Sequence, residues 1–188
     1  MLMASEITPF NKRRFDECMA WFMRKYNRHL TQFQAVKLHV MSDAFHILEY
    51  GVPIIGGEPE AWPKGPVVAA AYTHVMSVGG GSETSDILLG GRDANMPNVV
   101  RLSARADSPF DPDDFSESEI TAMERAWGTV IGHFKDEAGD DYFHSEGTFI
   151  GRAYRKARKT NQPIDWKDVV MAYDELYPTD HSNILVVI

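Results

Sequence analysis

The chain has 188 residues, 44% hydrophobic and 24% charged, a length and balance that fit one self-sufficient globular domain and exclude a wholly disordered chain. Its single cysteine, Cys18, excludes an internal disulfide and a multi-cysteine metal site, and no apolar run approaches the ~20 residues of a membrane span. The formal charge of −8 repels phosphate backbones and suits a basic protein partner or simply solubility, so a nucleic acid is not the expected partner, nor, without a span, is a membrane. Residues 1–10 lack a basic segment followed by an apolar one, so they do not read as a secretion signal, and the expected compartment is the cytoplasm.

Thr8-Pro9 predicts a helix start, with the hydroxyl as N-cap and proline in the first turn. Phe15, Met19, Phe22, Met23 and Tyr26 recur at helical spacing and carry that helix to about His29. Thr31 and Gln34 then form a capping box. Val36, Val40, Ala44 and Leu48 make one stripe, widened by Leu38, Met41 and Phe45, which predicts a central, largely buried helix. Tyr50-Gly51 stops it.

Val52, Ile54 and Ile55 suggest a short strand and Glu60 to Trp62 another, with Gly56-Gly57 at the turn between them. Gly65-Pro66 predicts a new helix whose apolar face holds Val67, Val68, Ala71, Tyr72 and Val75. Gly79-Gly80-Gly81-Ser82 reads as a flexible break. Residues 79–114 read as irregular loop, with Val99 to Leu102 alone strand-like.

Ser116 and Glu119 repeat the capping box ahead of a helix with the stripe Ile120, Met123, Trp127, Ile131 and Phe134. A helix over about Glu146 to Lys159 ends in basic residues that suit its negative pole. Asp165 caps a last helix, Trp166 to Tyr177. The expected fold is mostly α (α+β), five or six helices with a small antiparallel β-hairpin or sheet, in one domain over 8–178. Residues 179–188 form an apolar tail. Ile184 to Ile188 are expected to add a strand to the β element or to a partner's sheet edge, or to pair two copies into a homodimer.

Chemistry-bearing patterns are weak. His39 and His46 lie seven apart, too far for an i, i+4 zinc pair, and His74, His133 and His144 fall on other elements. A metal-dependent enzyme built from His39, His46, His74 and His144 would rest on the histidine count alone. There is no G-x-S-x-G elbow, and Cys18 reads as a small hydrophobe on an apolar helix face. The glycine run at 79–81 lacks the Lys-Ser/Thr of a phosphate loop. Asp107, Asp111, Asp113 and Asp114 lack the central glycine and terminal glutamate of a calcium loop. The basic run Arg152 to Lys159 reads as a solvated helix face. The expectation is no catalytic residue, no metal and no cofactor.

One segment is distinctive. Leu38 is followed by Asp43-Ala44-Phe45-His46-Ile47-Leu48 and Tyr50-Gly51-Val52-Pro53-Ile54-Ile55. Then come Glu60-Ala61-Trp62-Pro63-Lys64-Gly65-Pro66-Val67-Val68 and Tyr72. This series resembles the Panacea domain of SocA-like antitoxins and of phage or prophage proteins. The likeness extends over roughly 10–160, is densest at 36–72 and is weakest at 79–114. It implies stoichiometric protein binding without catalysis. The implied partner is a cognate toxin, neutralised in a toxin-antitoxin pair, one known mode being delivery of that toxin to a protease. The alternative it implies is a phage or prophage accessory protein that binds a host factor. Its motif residues here are Asp43, His46, Tyr50, Gly51, Pro53, Glu60, Trp62, Lys64, Gly65, Pro66 and Tyr72. Each is expected either to build the core and its corner or to meet a partner at the corner's exposed edge.

Overall fold

A computed structural model describes residues 8–133, 141–160 and 162–178. Helix α1 spans Lys12–Lys25, and its cap is Asn11, whose side chain accepts from the Arg14 N–H at 3.0 Å. Thr8-Pro9 does not start it. That stretch is drawn beside the 55–57 loop instead, where the Thr8 carbonyl accepts from Gly57 N–H and Asn11 N–H donates to Ile55. After Asn27, held at φ 47, the chain enters β1 (Leu30–Thr31).

Helix α2 (Gln32–Tyr50) carries the expected Thr31/Gln34 capping box and stops on Gly51 at φ 76. Fifteen of its 19 residues are buried, so it is the axis of the core, as its wide apolar face predicts. Two short strands follow, β2 (Pro59–Trp62) and β3 (Gly65–Val68), paired antiparallel with Pro63-Lys64 at the tip. Helix α3 is Ala69–Gly79.

Two expectations fail here. Val52 to Ile55 is not a strand, because the N–H groups of Ile54, Ile55 and Gly56 all donate to the Asp43 carboxylate. Gly65-Pro66 does not open a helix. Gly65 sits at φ 96, outside the helical region, and turns the hairpin, so α3 starts four residues later.

The 79–114 segment is also more ordered than its composition suggests. It contains β4 (Leu88–Arg92) and β5 (Val100–Ala104), which join β1 in an antiparallel sheet of order β1-β5-β4. The glycine run is not a flexible break. Gly79 is the last residue of α3, and Gly90 of β4 lies on it so closely that a Cβ at Gly90 would stand 2.8 Å from the Gly79 Cα. Glycine serves contact here, which hides the strand from propensity.

Helix α4 (Glu117–His133) follows its expected capping box. Glu119 N–H donates to Ser116 Oγ at 3.3 Å, and Ser116 N–H donates to Glu119 Oε2 at 2.8 Å. Helix α5 is Phe149–Thr160, three residues later than expected, because Ser145 to Thr148 form a turn whose Thr148 hydroxyl accepts from Gly151 N–H. Helix α6 (Trp166–Leu176) is capped by Asp165. The result is a mostly α, α+β fold with six helices, one three-stranded sheet and one hairpin among the described residues. The tail expectation at 179–188 lies outside them.

Helix α2 packs mainly on α4, and α1 closes the same core. Phe22, Tyr26 and Trp127 form a stacked column, the Tyr26 and Trp127 rings lying 3.9 Å apart and nearly parallel. Arg14 bridges α1 to α4, binding Glu119 at 2.6 Å while lying over the Phe115 ring. No helix among the described residues is long and apolar enough to cross a membrane.

Candidate protein-binding corner

The motif residues from 43 to 72 fall into two groups that the sequence could not separate. The first group is spent on structure. Asp43 is fully buried two turns before the end of α2. Its Oδ1 accepts from Ile54 and Ile55 N–H at 2.9 and 2.8 Å, and its Oδ2 accepts from Gly56 N–H at 2.9 Å. His39, one turn back, donates from Nε2 to the Gly56 carbonyl at 2.9 Å. His46 donates from Nδ1 to the Val52 carbonyl at 2.7 Å, because a carbonyl can only accept, and its Nε2 lies 3.3 Å from the Ser118 hydroxyl. Together these side chains lock loop 51–57 onto α2.

Gly65 and Pro66 belong to the same group. A Cβ at Gly65 would stand 3.0 Å from both Lys37 Nζ and Phe143 Cβ. Lys37 is buried and donates to the Pro66 carbonyl at 2.6 Å, with the Phe143 ring 5.3 Å away. Burial pushes its ammonium down to about 7, since no carboxylate among the described residues pairs with it to offset the lost hydration. No motif or spacing in the sequence marks Lys37. Its signal was a lysine between Val36 and Leu38 on a helix whose apolar face is unusually wide.

The second group reaches the surface. Tyr50 and Val52 are each 54% exposed at the end of α2, the Tyr50 ring 4.9 Å from that of His46. Gly51 and Pro53 line a cleft of about 530 Å³. Its far wall is the α5–α6 junction, including Ala157, Pro163, Ile164 and Trp166. A second hollow of about 260 Å³ lies between Glu60-Ala61-Trp62 and the end of α5. The two share Glu58, Ala157, Gln162 and Pro163, so they form one groove along the corner.

Trp62 is half-buried there. Its Nε1 donates to Glu60 at 2.7 Å, its ring meets Tyr72 at 5.2 Å and its carbonyl accepts from the Tyr154 hydroxyl. Lys64 is exposed at the hairpin tip over the Phe33 ring. The groove's floor is apolar (Ile47, Pro53, Ile164). Its rim mixes Glu58, Asp165 and Asp168 with Lys156 and Lys167, and Lys156 is paired to Asp168 at 2.5 Å. The α5–α6 wall was not legible as part of the site, because only the fold brings it to the motif.

The remaining ionisable clusters are structural. His74 sits between two carboxylates, its Nε2 2.7 Å from Asp16 and its Nδ1 3.1 Å from Glu83, which is in turn paired to Lys12. Desolvation opposes the charged ring, but the hydrogen bonds to Asp16 and Glu83 outweigh it and raise the pKa. With an acceptor at each nitrogen, imidazolium is the form that satisfies both. Cys18 is buried, and desolvation pushes its thiol well above the ordinary range, so it is no nucleophile at neutral pH. Among the described residues no group of three or more His, Cys, Asp or Glu is placed to hold a metal ion. Arg155, Lys156, Arg158 and Lys159 on α5 are exposed, as a solvated face requires, and the Asp111 side chain caps the 3-10 turn Pro112–Asp114. No family model matches the chain, and comparisons with curated proteins and with solved structures likewise give no match.

Proposed function

We propose that this chain is a non-catalytic protein-binding domain of the antitoxin kind, and that its partner seats along the corner groove. The observation that carries the reading is the pairing of an apolar-floored groove with Tyr50 and Val52, two large apolar side chains left more than half exposed on either side of groove-lining Gly51. Aromatic and aliphatic anchors next to a groove are what a protein partner's hot spot requires. The likeness of residues 36–72 to the Panacea domain points the same way, and the net charge of −8 suits fast association with a basic toxin. Delivery of the bound partner to a protease is one mode that such a domain supports.

The test is co-expression with the product of each flanking gene, scored for growth rescue and for a co-eluting complex. The expected result is rescue by the wild type and loss of both rescue and complex in Tyr50→Asp/Val52→Asp, with the urea midpoint of the isolated domain unchanged. A complex that survives that double substitution overturns the groove. If no flanking product is toxic and the domain instead captures a host protein through the same groove, the accessory-protein reading replaces the antitoxin one.

A further inference from the structure

We propose that the outer edge of β4 is a self-association surface, on which a second copy of this chain pairs antiparallel about Gly90 and joins the two three-stranded sheets into one. The argument begins with the direction of the backbone groups. Arg105 N–H donates to the Ile87 carbonyl and Asp93 N–H to the Val99 carbonyl, both at 2.8 Å, at the two ends of the β4–β5 ladder. Bonding alternates along an antiparallel pair, so the N–H and C=O groups of Leu88, Gly90 and Arg92 point away from β5. Ser85 Oγ accepts from Leu88 N–H at 3.0 Å. No described residue pairs with the Leu88 carbonyl or with the outward groups of Gly90 and Arg92, and residues 89–92 are exposed.

The other strand edges are better occupied among the described residues. Beyond the end of β1, the Gln32 side chain continues the ladder, accepting from Val100 N–H at 2.6 Å and donating to the Asn98 carbonyl at 3.0 Å. On the hairpin, Pro59 and Pro66 have no N–H to offer. The Pro59 carbonyl accepts from Ile164 N–H, that of Ala61 from Arg158 and that of Pro66 from Lys37. The β4 edge has no proline, lysine or bulge to protect it.

The edge is also complementary to itself. A two-fold axis at Gly90 sets Gly90 against Gly90 of the second copy, where the two exchange both of their free bonds, and lets Arg92 N–H reach the Leu88 carbonyl of that copy. Leu89, 47% exposed, then lies opposite Gly91 of the second copy, a position with no atom within 4 Å of where a Cβ would stand. Arg92 lies diagonal to Asp86 of the second copy, a pairing of opposite charges repeated on both sides of the axis.

Sedimentation velocity and light scattering on the full chain, without partner, test this surface independently of the groove. The expected result is a concentration-dependent monomer–dimer equilibrium. The Gly90 and Arg92 amides should gain hydrogen-exchange protection as the dimer forms. Leu89→Lys should weaken association at least about tenfold without moving the urea midpoint. Arg92→Asp should weaken it as well, and Asp86→Arg added to Arg92→Asp should restore it. A monomer at submillimolar concentration overturns the proposal. So does a dimer indifferent to Leu89→Lys, or one in which the two amides exchange as in the monomer.

Discussion

Lys37 and His74 are both buried basic side chains on helices of the same core, and their environments push them in opposite directions. His74 has a carboxylate at each ring nitrogen, and its affinity for a proton rises. Lys37 has a carbonyl and an aromatic ring, and its affinity falls to about 7. Depth of burial therefore does not decide the charge. What decides it is whether the fold delivers a formal countercharge along with the loss of water. The His74 cluster ties α1, α3 and the segment before β4 by charge. Lys37 holds the hairpin to α2 through a single carbonyl, at the point where the motif turns.

The largest effect expected from this contrast is at Lys37. Between pH about 7 and the ordinary lysine value of 10.5, the unfolded chain holds a proton that the folded one lacks. Stability should therefore climb through that window, by up to about 1.4 kcal/mol per pH unit. Lys37→Met keeps the stem, removes the ionisation and leaves the Pro66 carbonyl without its donor. The expected outcome is a gain of roughly 2–4 kcal/mol at pH 7 and loss of the alkaline rise. Urea unfolding followed by tryptophan fluorescence from pH 6 to 10 measures both. A wild-type profile flat over that range would mean that Lys37 finds water or a countercharge in solution.

Gly65→Ala comes next. The residue is at φ 96, and its new methyl would press on Lys37 Nζ and Phe143 at 3.0 Å. The expected loss is about 2–3 kcal/mol. Because Lys37 is one of the two obstructing groups, Gly65→Ala combined with Lys37→Met should cost less than the sum of the single changes, and strict additivity would show that backbone strain alone matters.

The effect at His74 is smaller and of opposite sign to that at Lys37. Its raised pKa gives stability that is fully present below the ordinary value of 6.5 and is lost as pH rises through the folded value. In wild type the Lys37 rise masks this fall, so the Lys37→Met background should expose it. His74→Gln keeps one donor to Asp16 and should cost about 1–2 kcal/mol at pH 6 while flattening the fall. If Lys37→Met is flat from pH 6 to 9 with His74 intact, the imidazolium clamp is wrong.

The parts legible in the sequence were those written in local chemistry. The capping boxes at Thr31/Gln34 and Ser116/Glu119, the Asp165 cap and the Gly51 stop are contained within a few residues, and each helix behind them forms as its signal requires. The misread parts depend on distant partners. Asp43 takes the backbone donors that Val52 to Ile55 would need as a strand, and Gly65-Pro66 can open a helix or turn a hairpin until Gly65 adopts a positive φ. β4 carries Gly90 because α3 passes beneath it at Gly79, a cause that no propensity scale contains. The motif residues were visible as a set, but their division into lock and surface was not. Neither was the α5–α6 wall, which lies a hundred residues away in sequence.

The smallest expected effect on the fold falls at the residue that matters most to the proposed groove. Tyr50 is more than half exposed, its ring tilted against that of His46, so Tyr50→Ser should shift stability by less than about 0.5 kcal/mol. His46 keeps its bonds to Val52 and Ser118 in that variant, and the loop lock is untouched. Under the proposed binding function, a side chain that contributes so little to its own fold, next to groove-lining Gly51, would have its main energetic consequence in a complex. Isothermal titration with the co-eluting partner should therefore show a loss of tenfold or more for Tyr50→Ser, the scale of an aromatic hot spot, beside an unchanged unfolding midpoint. Equal affinity would place Tyr50 outside the contact. A large drop in stability would instead make Tyr50 part of the lock, together with Asp43 and His46.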